Sequence, residues 1–214
     1  MLKAAVSLWS ADLVNLASEI RRVEPYADAF HLDVADGQYA PLLLFFPDLV
    51  AAIRRQTEVP LEVHLIVSHP EQWIGPFADA GADTIVFYPD AAKDPAALVR
   101  QIKERGLGAG LSLALADPVG LAVPVLGELD LVVVLGTDAG IKGAPAPDPE
   151  TYVKIGQLAE LRSERGLRFV IEADGGIRRE TVPRLRQAGA DVVVPGSLMF
   201  GGDPKEVSRW LRSL

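Results

Sequence analysis

The chain has 214 residues, 49% hydrophobic and 23% charged, with a formal net charge of -8 and no cysteine. That length and apolar content suit one larger domain, and residues 1–214 are read as a single unit. An acidic chain without a basic run is not a general nucleic-acid or membrane-surface binder, and a chain without cysteine has no disulfide, thiolate zinc site or thiol nucleophile. A small anionic ligand stays open, because backbone N–H groups bind phosphate whatever the net charge. The opening MLKAAVSLW is too short and too soon interrupted for a signal peptide or membrane span, so a cytoplasmic protein is expected.

The first strand-like run, 4–9, leads into the amphipathic segment ADLVNLASEIRRVE, which has an Asp near its start. Runs at 29–34 and 61–67 follow, then PEQWIGPFADAG, with Pro early and Gly last. The run 84–87 precedes PAALVRQIKERG, which closes on Arg and Gly, and 108–113 and 131–135 come next. PETYVKIGQLAELRSERG repeats the helical grammar before the last runs, 168–172 and 192–195. Near-continuous apolar strands alternating with helices indicate a parallel sheet, and eight such units in this length indicate a closed (β/α)8 TIM barrel, with a doubly wound open sheet as the alternative. The long loop GTDAGIKGAPAPDPE, 136–150, reads equally as a functional flap or a Pro-stiffened surface connection.

Functional groups of a barrel gather where its strands end. His31 and Asp33 alternate on one face of the second strand, His64 lies in the third, and Asp174 falls just past the seventh. A buried carboxylate is costly unless paired or bound to a metal. Two imidazoles and two carboxylates suit zinc, iron, manganese or cobalt. Each residue alone reads as a satisfied core histidine or a turn aspartate; four at corresponding strand ends favour a metal site. Asp33 and Asp174 on opposite sides of a substrate would remove a proton from one face of a carbon and return it to the other. A cation would stabilise the oxyanion formed next to that carbon, which is the chemistry of epimerisation. The glycine turns ADGGI, 173–177, and PGSLMFGG, 195–202, follow strands seven and eight, where barrels often hold phosphate.

The chain resembles the ribulose-phosphate 3-epimerase family in VSLWSADLVNL, FHLDVADGQYAP, LEVHLIVSHPEQWI, AGADTIVFYPD, IEADGGI and AGADVVVPGSLMFG. The resemblance implies a (β/α)8 barrel that interconverts ketopentose phosphates at C3. It implies one divalent metal per subunit, zinc first, with Fe2+, Mn2+ or Co2+ as substitutes, held by His31, Asp33, His64 and Asp174. It makes Asp33 and Asp174 the proton-transfer pair and Ser7 a substrate contact. It assigns Gly175, Gly176, Gly196 and Ser197 to phosphate-binding turns, and Gly140 and Gly143 to the lid. The implied partners are a sugar phosphate and further copies of the chain, with no nucleic acid or membrane.

Departures from the family pattern are concentrated around the substrate. ADGQYAPL stands where the family reads MDGHFVPN; Ala35, Ile66 and Leu135 occupy positions of its methionines; DAGIKGA, 138–144, replaces its NPGFGGQ lid. Lys142 there reads as a phosphate ligand or, slightly better, as a solvated lysine, and Asp36 as a turn residue or as a partner that orients a metal ligand. The related decarboxylases carry a D-x-K-x-x-D pattern, but the matching stretch, His31 to Asp36, has no lysine. A non-catalytic phosphosugar-binding barrel is the other alternative. PLLLFFPDLV, 41–50, reads equally as an interface or as apolar cover under the barrel's own loops.

Overall fold

The apolar runs close into a parallel barrel in the computed structural model, which describes residues 1–214. Its strands are β1 (Lys3–Ser7), β2 (Ala29–Ala35), β3 (Leu61–Ile66), β4 (Thr84–Phe87), β5 (Gly108–Leu113), β6 (Leu131–Leu135), β7 (Val170–Asp174) and β8 (Val192–Val193). Each pairs with its neighbour in chain order, and β8 returns to β1. Parallel neighbours need a crossover between them, and these crossovers carry the helices. The helices are α1 (Leu16–Val23), α2 (Pro47–Arg54), α3 (Ile74–Asp79), α4 (Pro95–Glu104), α5 (Pro149–Glu164), α6 (Val182–Ala188), α7 (Ser197–Phe200) and α8 (Pro204–Arg212). Three of them start alike: Asp94, Asp148 and Asp203 cap α4, α5 and α8 with side-chain acceptors, each followed by proline.

Side chains alternate across each strand, so every strand feeds two cores. Val6, Leu32, Val63, Ile85 and Val132 point outward and are buried under the helices, in one cluster with Ile20, Val50 and Leu158. Ala35, Ile66, Val86, Tyr88, Val133 and Leu135 form a separate cluster inside the barrel.

The structure departs from the sequence-based expectation at several boundaries. β1 stops at Ser7 and Leu8–Ser10 coil into a 3-10 turn. Asp174 is the last residue of β7 rather than the first beyond it, because it stays in register with Leu135 of β6. No α-helix joins β5 to β6: a 3-10 turn at Val119–Leu121 takes its place. Pro118, Gly120, Pro124 and Gly127 prevent a continuous helix there, while Ala122, Val125, Leu126 and Leu129 still cover the barrel. Lys154 of α5 donates to the carbonyls of Ala114 (2.8 Å) and Leu115 (2.6 Å), fastening this connection.

The segment 41–50 divides its apolar residues. Phe45 is buried, whereas Leu43 and Phe46 are 78% and 57% exposed. No helix is long and apolar enough to cross a membrane.

Candidate active site and metal centre

Strand register stacks the polar residues in layers. His31 of β2 lies level with Ser7 of β1 and Glu62 of β3, and Asp33 lies level with His64. Across the barrel, Glu172 and Asp174 occupy the same inward face of β7. β2, β3 and β7 therefore aim these inward side chains at one point near their carboxyl ends.

At that point His31, Asp33, His64 and Asp174 bring one ligand atom each to within 4.8 Å of one another. His31 Nε2 is 3.2 Å from Asp33 Oδ1, 3.2 Å from His64 Nδ1 and 3.8 Å from Asp174 Oδ2. His64 Nδ1 is 3.7 Å from Asp33 Oδ1. Donors about 2.0–2.2 Å from a tetrahedral cation lie roughly 3.3–3.6 Å apart, so the set fits a zinc-like ion. Two imidazole nitrogens facing each other among carboxylates also make better chemical sense around a shared cation than around a single proton. The residues fit the metal.

Further groups orient these four. His31 Nδ1 hydrogen-bonds Glu62 Oε1 at 2.8 Å, turning Nε2 toward the cluster. Glu172 Oε1 lies 3.5 Å from the same nitrogen. Ser7 Oγ donates to Asp33 Oδ2 at 3.1 Å. Asp36 is held apart from them: its carboxylate accepts from the backbone N–H groups of Gln38, Tyr39 and Ser68, which makes it a turn and cross-loop clamp.

The protein's own groups drive the two aspartates in opposite directions. Burial pushes the Asp33 carboxyl up, but the charge and hydrogen bond of His31, then His64, hold it well below the usual carboxylate range. Burial pushes the Asp174 carboxyl up, His31 opposes this, and the charge of Asp33 adds to it, leaving the balance upward. Burial and nearby Glu62 likewise raise Glu172 far above the usual range. Burial lowers the His31 pKa, but Asp33, Glu172 and Glu62 outweigh it and hold the imidazole well above its usual value.

A cavity of about 170 Å³ opens above the cluster and is lined by Asp33, His64 and Asp174. Ser7, Gly140, Gly143, Gly175, Gly176, Gly196 and Ser197 all line it as well. Two of these glycines are required by close approach. A Cβ on Gly176 (φ 69°) would sit 2.3 Å from Pro147 N, and one on Gly196 would sit 2.2 Å from Ser10 Oγ. Gly176 thus seats the far end of the flap on β7 in addition to exposing backbone to the cavity.

The flap, residues 136–148, folds over the mouth. Lys142 is exposed, as a solvated lysine would be, and its Nζ also donates to Trp9 O at 2.7 Å and lies 5.4 Å from the centre of the Trp9 ring. On the opposite wall, the Tyr88 ring stacks on His64, with centroids 5.2 Å apart, and against Tyr39 at 4.7 Å. Burial is the main reason the Tyr88 phenol is held far above its usual pKa; Ser112 opposes the shift and Asp174 adds to it.

The sequence of the ribulose-phosphate 3 epimerase family matches residues 3–200 of this chain. The chain belongs to the ribulose-phosphate 3-epimerase family. The ribulose-phosphate 3-epimerase of Bacillus subtilis (strain 168) is 36% identical over 203 residues, covering 94% of this chain and 93% of that protein. That of Treponema pallidum (strain Nichols) is 38% identical over 199 residues, covering 92% and 91%. Among solved structures, a 3-hexulose-6-phosphate synthase superposes with a TM-score of 0.70 at 18% identity, covering 99% of this chain and 98% of the other. The 3-keto-L-gulonate-6-phosphate decarboxylase of Vibrio cholerae superposes with a TM-score of 0.72 at 16% identity, covering 100% and 95%. At those identities the two structures establish the shared fold alone. Family membership makes the chain an isomerase of the epimerase class acting on carbohydrates.

Sequence reasoning missed Glu62, Glu172, Tyr88 and Ser112. A signal for the first two existed: each stands two residues before a ligand position, and so on the same inward face of its strand.

Proposed function

We propose that the chain interconverts the C3 epimers of a ketose phosphate, ribulose 5-phosphate and xylulose 5-phosphate or a related sugar, with one divalent cation per subunit, zinc first. The observation that carries this is a metal-competent cluster whose two carboxylates, Asp33 and Asp174, line the cavity together with His64. Asp33, oriented by the Ser7 hydroxyl, takes the C3 proton from one face while the bonding pair moves toward the C2 oxygen. Asp174 returns a proton to C3 from the other face, and the two exchange roles in the reverse direction. A bound divalent cation supplies the positive charge that stabilises the developing enediolate. His31 and His64 hold that cation together with the two aspartates. The backbone of Gly175, Gly176, Gly196 and Ser197 receives the phosphate, and the flap with Gly140 and Gly143 keeps water out.

No lysine stands between His31 and Asp36, so a lysine-dependent decarboxylation has no proton donor at that place. The exposed Leu43 and Phe46 support self-association of a cytoplasmic enzyme; a monomer by sedimentation would remove that part. The test of function is a screen of ketotetrose, ketopentose and ketohexose phosphates, with metal content measured on the same preparation. The expected result is epimerisation of at least one sugar and about one metal per subunit. A metal-free protein inactive on every sugar, with and without added divalent cation, would return the chain to a binding role.

A further inference from the structure

Tyr88 and Ser112 carry buried hydroxyls that the reaction above does not use. Both residues are 0% exposed, and neither Tyr88 OH nor Ser112 Oγ has a hydrogen-bond partner outside the pair they form with each other. They are neighbours across two strands: Phe87 pairs with Leu111 in the β4–β5 register, which brings the next pair, Tyr88 and Ser112, side by side. Buried polar groups are nearly always satisfied, and a bond between these two hydroxyls still leaves one donor and the remaining lone pairs for a ligand or water to complete. Tyr88 lines the same cavity as Asp33, His64 and Asp174. Its ring, sandwiched between His64 and Tyr39, has little freedom to turn, which fixes the position of the hydroxyl.

The order of strands gives the direction. In a closed ring of eight, β4 stands opposite β8. The glycine turns that receive phosphate follow β7 and β8, and the metal-competent cluster is contributed by β2, β3 and β7. A ketose phosphate anchored by its phosphate, with its carbonyl end at the cluster, directs its far terminus toward β4 and β5. That terminus is the C1 hydroxymethyl group. Two neutral hydroxyls, each both donor and acceptor, match a hydroxyl. Ile66 and Leu135, which line the same cavity, offer nothing to a charged group.

Building on the proposed epimerase activity, we propose that the Tyr88 hydroxyl, assisted by Ser112 Oγ, recognises the hydroxyl at the phosphate-remote end of the ketose. Tyr88 is then a specificity-determining residue.

The test compares kcat/KM for a ketopentose phosphate and its 1-deoxy analogue in the metal-loaded wild type, Tyr88→Phe and Ser112→Ala, with metal content measured in each. Tyr88→Phe keeps the ring that stacks on His64. The wild type is expected to prefer the parent sugar by roughly tenfold, the effect of one well-placed hydrogen bond. In Tyr88→Phe that preference falls toward one, mainly through a higher KM on the parent, and Ser112→Ala moves it in the same direction. Equal losses on both sugars would assign Tyr88 to support of His64 alone and overturn the proposal, as would an unchanged preference. A wild type that epimerises neither sugar overturns the functional proposal and this one with it; a wild type active on both with no preference overturns only this one.

Discussion

Asp33 is 5% exposed, and its burial is offset by His31, His64 and the Ser7 hydroxyl from two adjacent strand layers. The clustering of His31, Asp33, His64 and Asp174 was partly legible in the sequence, because alternation within a strand puts His31 and Asp33 on one face and glycine turns mark the strand ends. What orients them was not. Glu62 takes up the far nitrogen of His31, and a glutamate in an apolar strand gives no sign of its partner until the register of β2 against β3 is fixed. Glu62→Gln is expected to lower metal affinity about 10–100-fold while leaving the fold intact, since the amide also offers a nitrogen and frees His31 to turn. Competition against a chelator measures this, and an unchanged affinity would show that Glu62 does not fix the ring. The same reasoning explains why Tyr88 escaped notice: as the residue after an apolar strand it reads as core, and its polarity matters only because Ser112 lies beside it.

At the scale of elements, the flap is one of the places where this chain departs from the pattern of its family. The exposed lysine at 142 also ties the flap to the β1 turn, 133 residues away in the chain, through the Trp9 carbonyl and ring. Sequence spacing could not anticipate that contact, because it depends on β1 turning into a 3-10 coil at Leu8. An exposed cation–π contact contributes about 0.5–1 kcal/mol. Lys142→Ala is therefore expected to raise KM by roughly two- to fivefold with kcat unchanged or higher, as a looser flap releases substrate and product faster. Steady-state kinetics check it, and an unaltered KM would contradict a closing role for Lys142. The β5–β6 connection illustrates a second limit of the sequence: strand period predicted both strands, yet proline and glycine spacing left a 3-10 turn where the barrel pattern calls for a helix.

At the scale of the molecule, the net charge of -8 is compatible with the proposed anionic substrate, because backbone groups can bind a phosphate locally whatever the net charge. The closed barrel was legible from the count and spacing of apolar runs. Convergence was not, since it follows from register: Asp174 reaches the cluster only because β7 extends to stay level with Leu135 of β6. That convergence is what would let Asp33 and Asp174 act as the opposed proton carriers of the proposed reaction. The measurement that bears on it most directly is deuterium incorporation at C3 from solvent in the wild type, Asp33→Asn and Asp174→Asn, followed by proton NMR. The wild type is expected to exchange as it epimerises, and each variant to lose turnover by about 100- to 10,000-fold. Exchange and epimerisation at the wild-type rate in both variants would contradict the two-aspartate account.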